Sequence, residues 1–209
     1  MIIVGAGGFG REVFEYALDA GVAVEGFLDD NPNALAGFFG FPAIMGSVEC
    51  ADPDAGHYVV AVGDPCLRAR MAGMLGARGC VLRSLVHPSA TVARSASLEP
   101  GVVIAPGVVV GACARLGRNV MANVSAAIGH DSRIGAHSVL APFTAVNGWA
   151  DIDEEVFIGS QAVITLARKV GPHSKVAAGA VVTRDCEPGS LMVGNPAKGR
   201  VIYAPEACG

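Results

Sequence analysis

His130 and Asp131 stand side by side in "SAAIGHDSRIGAHSVLAP", residues 125–142, a run otherwise made mostly of small and aliphatic residues in a chain with only five histidines. An imidazole titrates near neutrality, so it can take a proton from an attacking amine or hydroxyl, and a neighbouring carboxylate can orient the ring. The chemistry that suits such a pair is acyl transfer, given a backbone N–H close enough to steady the oxyanion of a tetrahedral intermediate. Both residues also have plainer readings. Asp131 occupies a place where Gly101, Gly107, Asn119, Gly179 and Asp185 also fall in the repeat described below, and such residues favour left-handed turns. His130 alone reads equally as a solvated surface histidine. A second group with chemical potential lies at the amino terminus, where Gly5, Gly7 and Gly10 form G-x-G-x-x-G between "MIIV" and "REVFEYALDAG". Glycines in that setting let backbone N–H groups approach a phosphate at a helix start, and acidic residues about twenty positions on can take a ribose or base edge. A tight strand-to-helix turn needs glycine as well, with or without a ligand.

The elements that must position these residues fall into two textures. Stepping by six from Val86 to Val182 meets Val, Ile or Leu at sixteen of seventeen positions, with Ala122 the exception. These three types make up 50 of the 209 residues, so chance would fill about four of the seventeen, and a hexapeptide repeat is the economical explanation. Four places after each aliphatic residue sits a small residue or Val, broken only by Arg168. Such a repeat predicts a parallel β-helix, each hexad giving one short strand and one corner. Before Val86, "MIIV" reads as a buried strand, "GAGGFG" as a turn, "REVFEYALDAG" as a helix and "VAVEGFL" as a second strand closed by Asp29 and Asp30. "HYVVAVGD" followed by "PCLRARMAGMLGARG" repeats the strand-then-helix order with Pro65 near the helix start. The fold class expected is therefore α/β followed by all-β: a small Rossmann-like domain over residues 1–82, then a β-helix with a short tail over 83–209.

Composition narrows the function classes. At 52% hydrophobic, 16% charged and a formal net charge of -4, with no Lys/Arg run longer than two residues, the chain has ample core and no basic footprint for nucleic acid or a membrane surface. The longest uncharged apolar stretch, residues 101–114, is too short to span a bilayer. "MIIVGAGGFG" lacks the charged region and cleavage site of a signal peptide, so a cytoplasmic location is expected. Six scattered cysteines without a C-x-x-C pair fit reduced structural thiols better than a disulfide framework or a zinc site.

The hexads resemble the left-handed β-helix of hexapeptide acyltransferases, whose coil is a triangle of three hexads, or eighteen residues. On that arithmetic Ala112, His130 and Gly148 stack on one edge at roughly one strand separation of ~4.8 Å, which sets His130 beside a bare glycine backbone. The chain as a whole resembles the sugar acetyltransferase family of the PglD and NeuD types. The residues carrying the resemblance are "VGAGGFGREV", "GFLDD", "AVGD" with Arg68, "NVSAAIGHD", "AAGAVVTRDCEPG" and "VGNPAK", which cover both halves in the family's order. The resemblance implies a homotrimer with acetyl-CoA as co-substrate between neighbouring β-helices, no metal, and an amino-terminal domain holding the nucleotide of a nucleotide-linked sugar. It implies His130 as general base with Asp131 beside it. Asn123 and Gly148 match positions near the acetyl group, Ser160 and Ala178 match backbone contacts to pantetheine, and Gly7, Gly8, Phe9, Asp29, Asp30, Gly63 and Arg68 fall in the nucleotide pocket. Phe9 stands where many of the N-acetyltransferases have histidine, and Val139 aligns with the family's second active-site histidine, His137 lying two places earlier. For the phosphates of CoA the candidate cations are Arg168, Lys169, Lys198 and Arg200, which read equally as solvated charges.

The preferred reading is N-acetylation of a nucleotide-linked 4-amino sugar, with O-acetylation of a sugar such as sialic acid as the alternative. Two readings of other classes stand beside it: a noncatalytic nucleotide-sugar-binding trimer, and a zinc β-helix of the carbonic-anhydrase kind needing His87, His130 and His137 to converge. His87 and His130 are 43 residues apart, far from a multiple of 18, which disfavours the last. The expected plain partners are Glu155 for His137, eighteen residues on, and solvent for Arg133, which stacks between Arg115 and Asp151.

Overall fold

The computed structural model describes residues 1–202. The amino-terminal part is a five-stranded parallel sheet of β1 (Ile2–Val4), β2 (Gly26–Leu28), β3 (Ile44–Gly46), β4 (His57–Val60) and β5 (Val81–Leu82), in the order β3-β2-β1-β4-β5. Helices α1 (Gly8–Asp19) and α2 (Pro65–Ala77) are its crossovers. Ile2, Ile3, Val4 and Tyr58 to Val60 are all buried, as a sheet covered on both faces requires. The chain fills the β2 side first and then returns to β4, so the topological switch point lies between β1 and β4, and a crevice opens beyond their carboxyl ends.

Helix α1 begins at Gly8, three residues before the sequence predicts. Its poor propensity there is overridden by close packing: a Cβ on Gly10 would lie 2.0 Å from the Gly5 carbonyl oxygen, so only glycine lets the first turn touch the strand end. Helix α2 starts by the rule, with Asp64 as N-cap accepting from the Leu67 N–H at 3.0 Å and Pro65 at the first helical position.

From Leu85 to Val182 the chain forms a left-handed parallel β-helix in which each of the seventeen hexads supplies one two-residue strand. The strands stack eighteen residues apart into three sheets, Val110 on Ile128 and Ile128 on Val146, for example. Aliphatic positions from Ile104 to Val182 are 2% exposed or less, whereas Val86 below them is 37% exposed because no coil stacks beneath that end. The corners from Gly101 to Gly179 each carry one residue in the left-handed region; from Cys113 to His173 these are non-glycine residues with φ between 54° and 63°.

The outward residues give each face a character. The first face (Leu85, Val103, Met121, Val139, then Phe157 and Lys175) packs against the amino-terminal domain over its lower coils, so one apolar cluster runs from Ile3 and Phe14 through Met121 to Val182. The second face (Thr91, Val109, Ala127, Ala145, Val163, Val181) carries no charge. The third (Ser97, Arg115, Arg133, Asp151, Lys169) is mostly charged, and Arg133 is ion-paired with Asp151 rather than merely solvated. A hairpin of Ser190–Val193 and Lys198–Val201 extends the first face.

No helix among the described residues is long and apolar enough to cross a membrane. Cys50, Cys80, Cys113 and Cys186 are free thiols.

Candidate active site

His130 and Asp131 form the corner between Ala127–Ile128 on the second face and Arg133–Ile134 on the third. The left-handed backbone of Asp131, φ 57°, turns its carboxylate onto the neighbouring ring, where Oδ2 accepts from His130 Nδ1 at 2.8 Å. A carboxylate only accepts, so the proton sits on Nδ1 and Nε2 keeps its lone pair. The imidazole is 56% exposed and lies against Gly148: a Cβ there would come 2.6 Å from Nε2. A side chain at position 148 would push the imidazole out of this place. The N–H groups of Asn147 and Trp149 bond to the Ile164 and His130 carbonyls, whereas the Gly148 N–H makes no hydrogen bond within the described residues. A proton acceptor and an uncommitted N–H donor therefore lie on the same edge, in adjacent coils.

One residue here escaped the sequence reading. Trp149 lies one coil above Asp131 and meets His130 edge-on, ring centroids 6.2 Å apart and planes 87° to each other, with 60% of the residue exposed. The signal was the same step of eighteen that located Gly148.

The other expected acetyl-CoA contacts lie elsewhere in the chain. Asn123, Ser160 and Ala178 share the corner between the first and second faces; Asn123 Oδ1 accepts from the Val124 N–H at 2.7 Å, and the Gly179 N–H bonds to the Ser160 carbonyl at 2.9 Å. That corner and the His130 corner flank the uncharged face from opposite sides, so a single chain does not bring the two sets together. Val139 is 4% exposed, within the apolar cluster that the coils share with the amino-terminal domain. Lys198 and Arg200 are exposed on the last hairpin, beside Arg184 in a cavity of about 450 Å³. Arg168 is ion-paired with Asp185 at 3.3 Å, and Lys169 is exposed.

At the switch point, Val4, Gly5, Leu28, Asp29, Asp30 and Val62 help to line a crevice of about 120 Å³. Gly7 and Gly8 are exposed at the start of α1, whose N-cap, Gly7, supplies no side-chain bond to its first turn. Gly63 is exposed, and Phe9 is half-buried against the core. The Asp29 carboxylate braces the glycine turn, accepting from the Ala6 N–H at 2.7 Å and the Asn31 N–H at 2.9 Å, while the Asp30 carboxylate makes no hydrogen bond among the described residues.

Arg68 does not face this crevice. It is fully buried, donating from Nε to the Asn119 carbonyl at 2.7 Å and from Nη1 to the Val60 and Val62 carbonyls at 2.7 and 3.1 Å. It is a strut between domain and coils, and burial without a carboxylate pushes its guanidinium down to about 9. The Asn119 amide donates to the Arg68 carbonyl at 3.1 Å and to His137 Nδ1 at 3.0 Å, so His137 is an acceptor there and belongs to the strut. Its expected partner Glu155 faces His173 instead, at 3.5 Å. His87 pairs with Asp19 at 3.0 Å, so the three histidines of the zinc reading never converge. Among the described residues no cluster of three or more His, Cys, Asp or Glu side chains is placed to hold a metal ion.

Residues 1–75 match the family model of the PglD N-terminal domain, and residues 80–165 match that of the GMPPB C-terminal domain. The chain is 30% identical to PerB from Caulobacter crescentus, solved in complex with CoA and GDP-perosamine, with a TM-score of 0.88 over 95% of this chain and 96% of that one. It is 34% identical to the acetyltransferase domain of PglB from Neisseria gonorrhoeae, with a TM-score of 0.88 over 94% and 97% of the two chains; that domain has also been solved with acetyl coenzyme A. WeeI from Acinetobacter baumannii, 23% identical with a TM-score of 0.81 over 95% and 98%, shares the fold.

Proposed function

The chain belongs to the PglD/NeuD-type family of acetyl-CoA-dependent sugar acetyltransferases, and from that premise we propose that it acetylates the amino group of a nucleotide-linked 4-amino sugar with His130 as general base. The observation that carries the assignment of the base is the approach of its Nε2 to the open side of Gly148, where a Cβ would lie 2.6 Å from it, while Asp131 holds the proton on Nδ1.

The reaction is a direct transfer. The acceptor amine attacks the thioester carbonyl, and Nε2 takes the proton shed by nitrogen as the C–N bond forms. The Gly148 N–H binds the oxygen that gains the charge. Collapse of the tetrahedral intermediate breaks the C–S bond, and the departing thiolate of CoA recovers the proton from the imidazolium. Each partner is held in place by the chain, which is where much of the rate acceleration of a two-substrate transfer originates.

The nucleotide of the acceptor lies at the switch-point crevice, its phosphates at the open start of α1 near Gly7 and Gly8 and its outer edge near Asp30. Acetyl-CoA runs between the His130 corner of one subunit and the corner bearing Asn123, Ser160 and Ala178 on a neighbour, within a homotrimer built on the uncharged second face. This arrangement explains why that face is uncharged and why Phe143 and Leu166, exposed at 58% and 59%, stand at its two borders. Lys198 and Arg200, exposed on the last hairpin, are the candidates for the phosphates of CoA, and Arg168, engaged by Asp185, is the weaker one. The amino-terminal unit is assigned residues 1–82 and the catalytic unit 83–209.

The test is product analysis after incubation with acetyl-CoA and a panel of nucleotide-linked 4-amino sugars and sialic acids. An acetylated product that resists hydroxylamine is an amide and supports the reading. A hydroxylamine-labile ester formed only from hydroxyl acceptors would replace it with O-acetylation.

A further inference from the structure

The family reading assigns the base and the N–H donor but leaves unexplained the aromatic ring beside them. Trp149 is a bulky residue held at φ 60°, a conformation that costs most side chains free energy and that small polar residues or glycine fill more cheaply. Its backbone is fixed, the N–H bonding to the His130 carbonyl at 3.0 Å. The residue is nevertheless 60% exposed, its indole meets the imidazole at a right angle, and the indole N–H makes no hydrogen bond within the described residues. The ring is therefore pre-positioned, apolar on its faces, and carries one free donor on its rim.

We propose that Trp149 is the platform for the acceptor sugar, taking the C–H face of the pyranose ring against its indole so that the sugar amine is held at Nε2 of His130. The inference rests on the acetyl-transfer reading of the same site. A pyranose presents a face of C–H bonds that an aromatic ring receives by dispersion, and its hydroxyls suit the free indole N–H. Acetyl-CoA is the poorer occupant, since its thioester must reach the Gly148 N–H and the pantetheine arm has no flat apolar face. Trp149 is then a positioning and specificity-determining residue, one that favours sugars whose ring face near the amine bears no hydroxyl or charge.

Trp149 is the only tryptophan in the chain, so intrinsic fluorescence reports on it directly. A nucleotide-linked amino sugar is expected to quench or shift the emission, while the matching nucleoside diphosphate without the sugar leaves it unchanged. In steady-state assays Trp149→Ala is expected to raise the acceptor KM roughly five- to tenfold, the size of one aromatic contact, with the KM for acetyl-CoA within about twofold of wild type, and Trp149→Phe is expected to recover most of the loss. An unchanged acceptor KM, a rise confined to acetyl-CoA, or dissociation of the Trp149→Ala oligomer in sedimentation would overturn the proposal. A wild-type enzyme that shows the fluorescence response but no turnover would support the platform and overturn acetyl transfer.

Discussion

Two neighbours set the geometry of His130, the proposed base. Asp131 fixes the tautomer, and Gly148 clears the space that Nε2 occupies. Gly148 has no positive φ, so alanine suits its backbone, yet the added methyl would lie 2.6 Å from Nε2 and drive the ring aside. Gly148→Ala is expected to lower kcat on the order of 100-fold, the cost of misplacing a catalytic group by about 1 Å, while its circular dichroism and melting curve stay close to wild type. Much of this was legible in the sequence, because a step of eighteen puts residues 130 and 148 on one edge whatever else the chain does. Arg68 and Val139 were not legible. Their surroundings are made by the packing of one domain on the other, which no local pattern encodes, and the family motif that places Arg68 near the nucleotide says nothing of which way its side chain runs.

At the scale of elements, the coils depend on aliphatic residues that stack in a narrow interior. Ile134 is fully buried there, and Ile134→Ala is expected to destabilise the chain by about 2–5 kcal/mol, read as a lower urea midpoint. The strut from Arg68 through Asn119 to His137 adds a pH dependence. Burial, then the charges of Arg68 and Arg118, hold the His137 pKa below its ordinary value. The unfolded chain therefore binds this proton more readily than the folded one, so the contribution of His137 is complete above the ordinary histidine value of about 6.5 and is lost as pH falls through that value toward the lower folded one. Glu155, held above the carboxylate range mainly by burial, pulls in the opposite sense at lower pH. A comparison of wild type with His137→Gln isolates the histidine: the urea midpoint of the variant is expected to fall less between pH 7 and pH 5. Hexads and helices were readable from periodicity and caps, but the start of α1 was not, since Gly8 and Gly10 read as a turn until the close approach to Gly5 is known.

For the whole molecule, the two corners that flank the uncharged face carry complementary halves of the proposed acetyl-CoA site. A charge in the middle of that face separates assembly from folding: Ala145→Glu is expected to sediment as a monomer, with an intact circular dichroism spectrum and little acetyl transfer. A trimeric and fully active Ala145→Glu would place the interface elsewhere. The proposed trimer is implied by family resemblance alone, although the uncharged face is written at the first strand position of every third hexad, Val109, Ala127, Ala145 and Val163 in turn. The most direct test of the account is the release of free CoA from acetyl-CoA in the presence of the amino-sugar acceptor, compared between wild type and His130→Ala at neutral pH. The account predicts turnover by the wild type and a fall of about 100-fold or more in the variant, whereas equal rates in the two would remove His130 from the chemistry and contradict it.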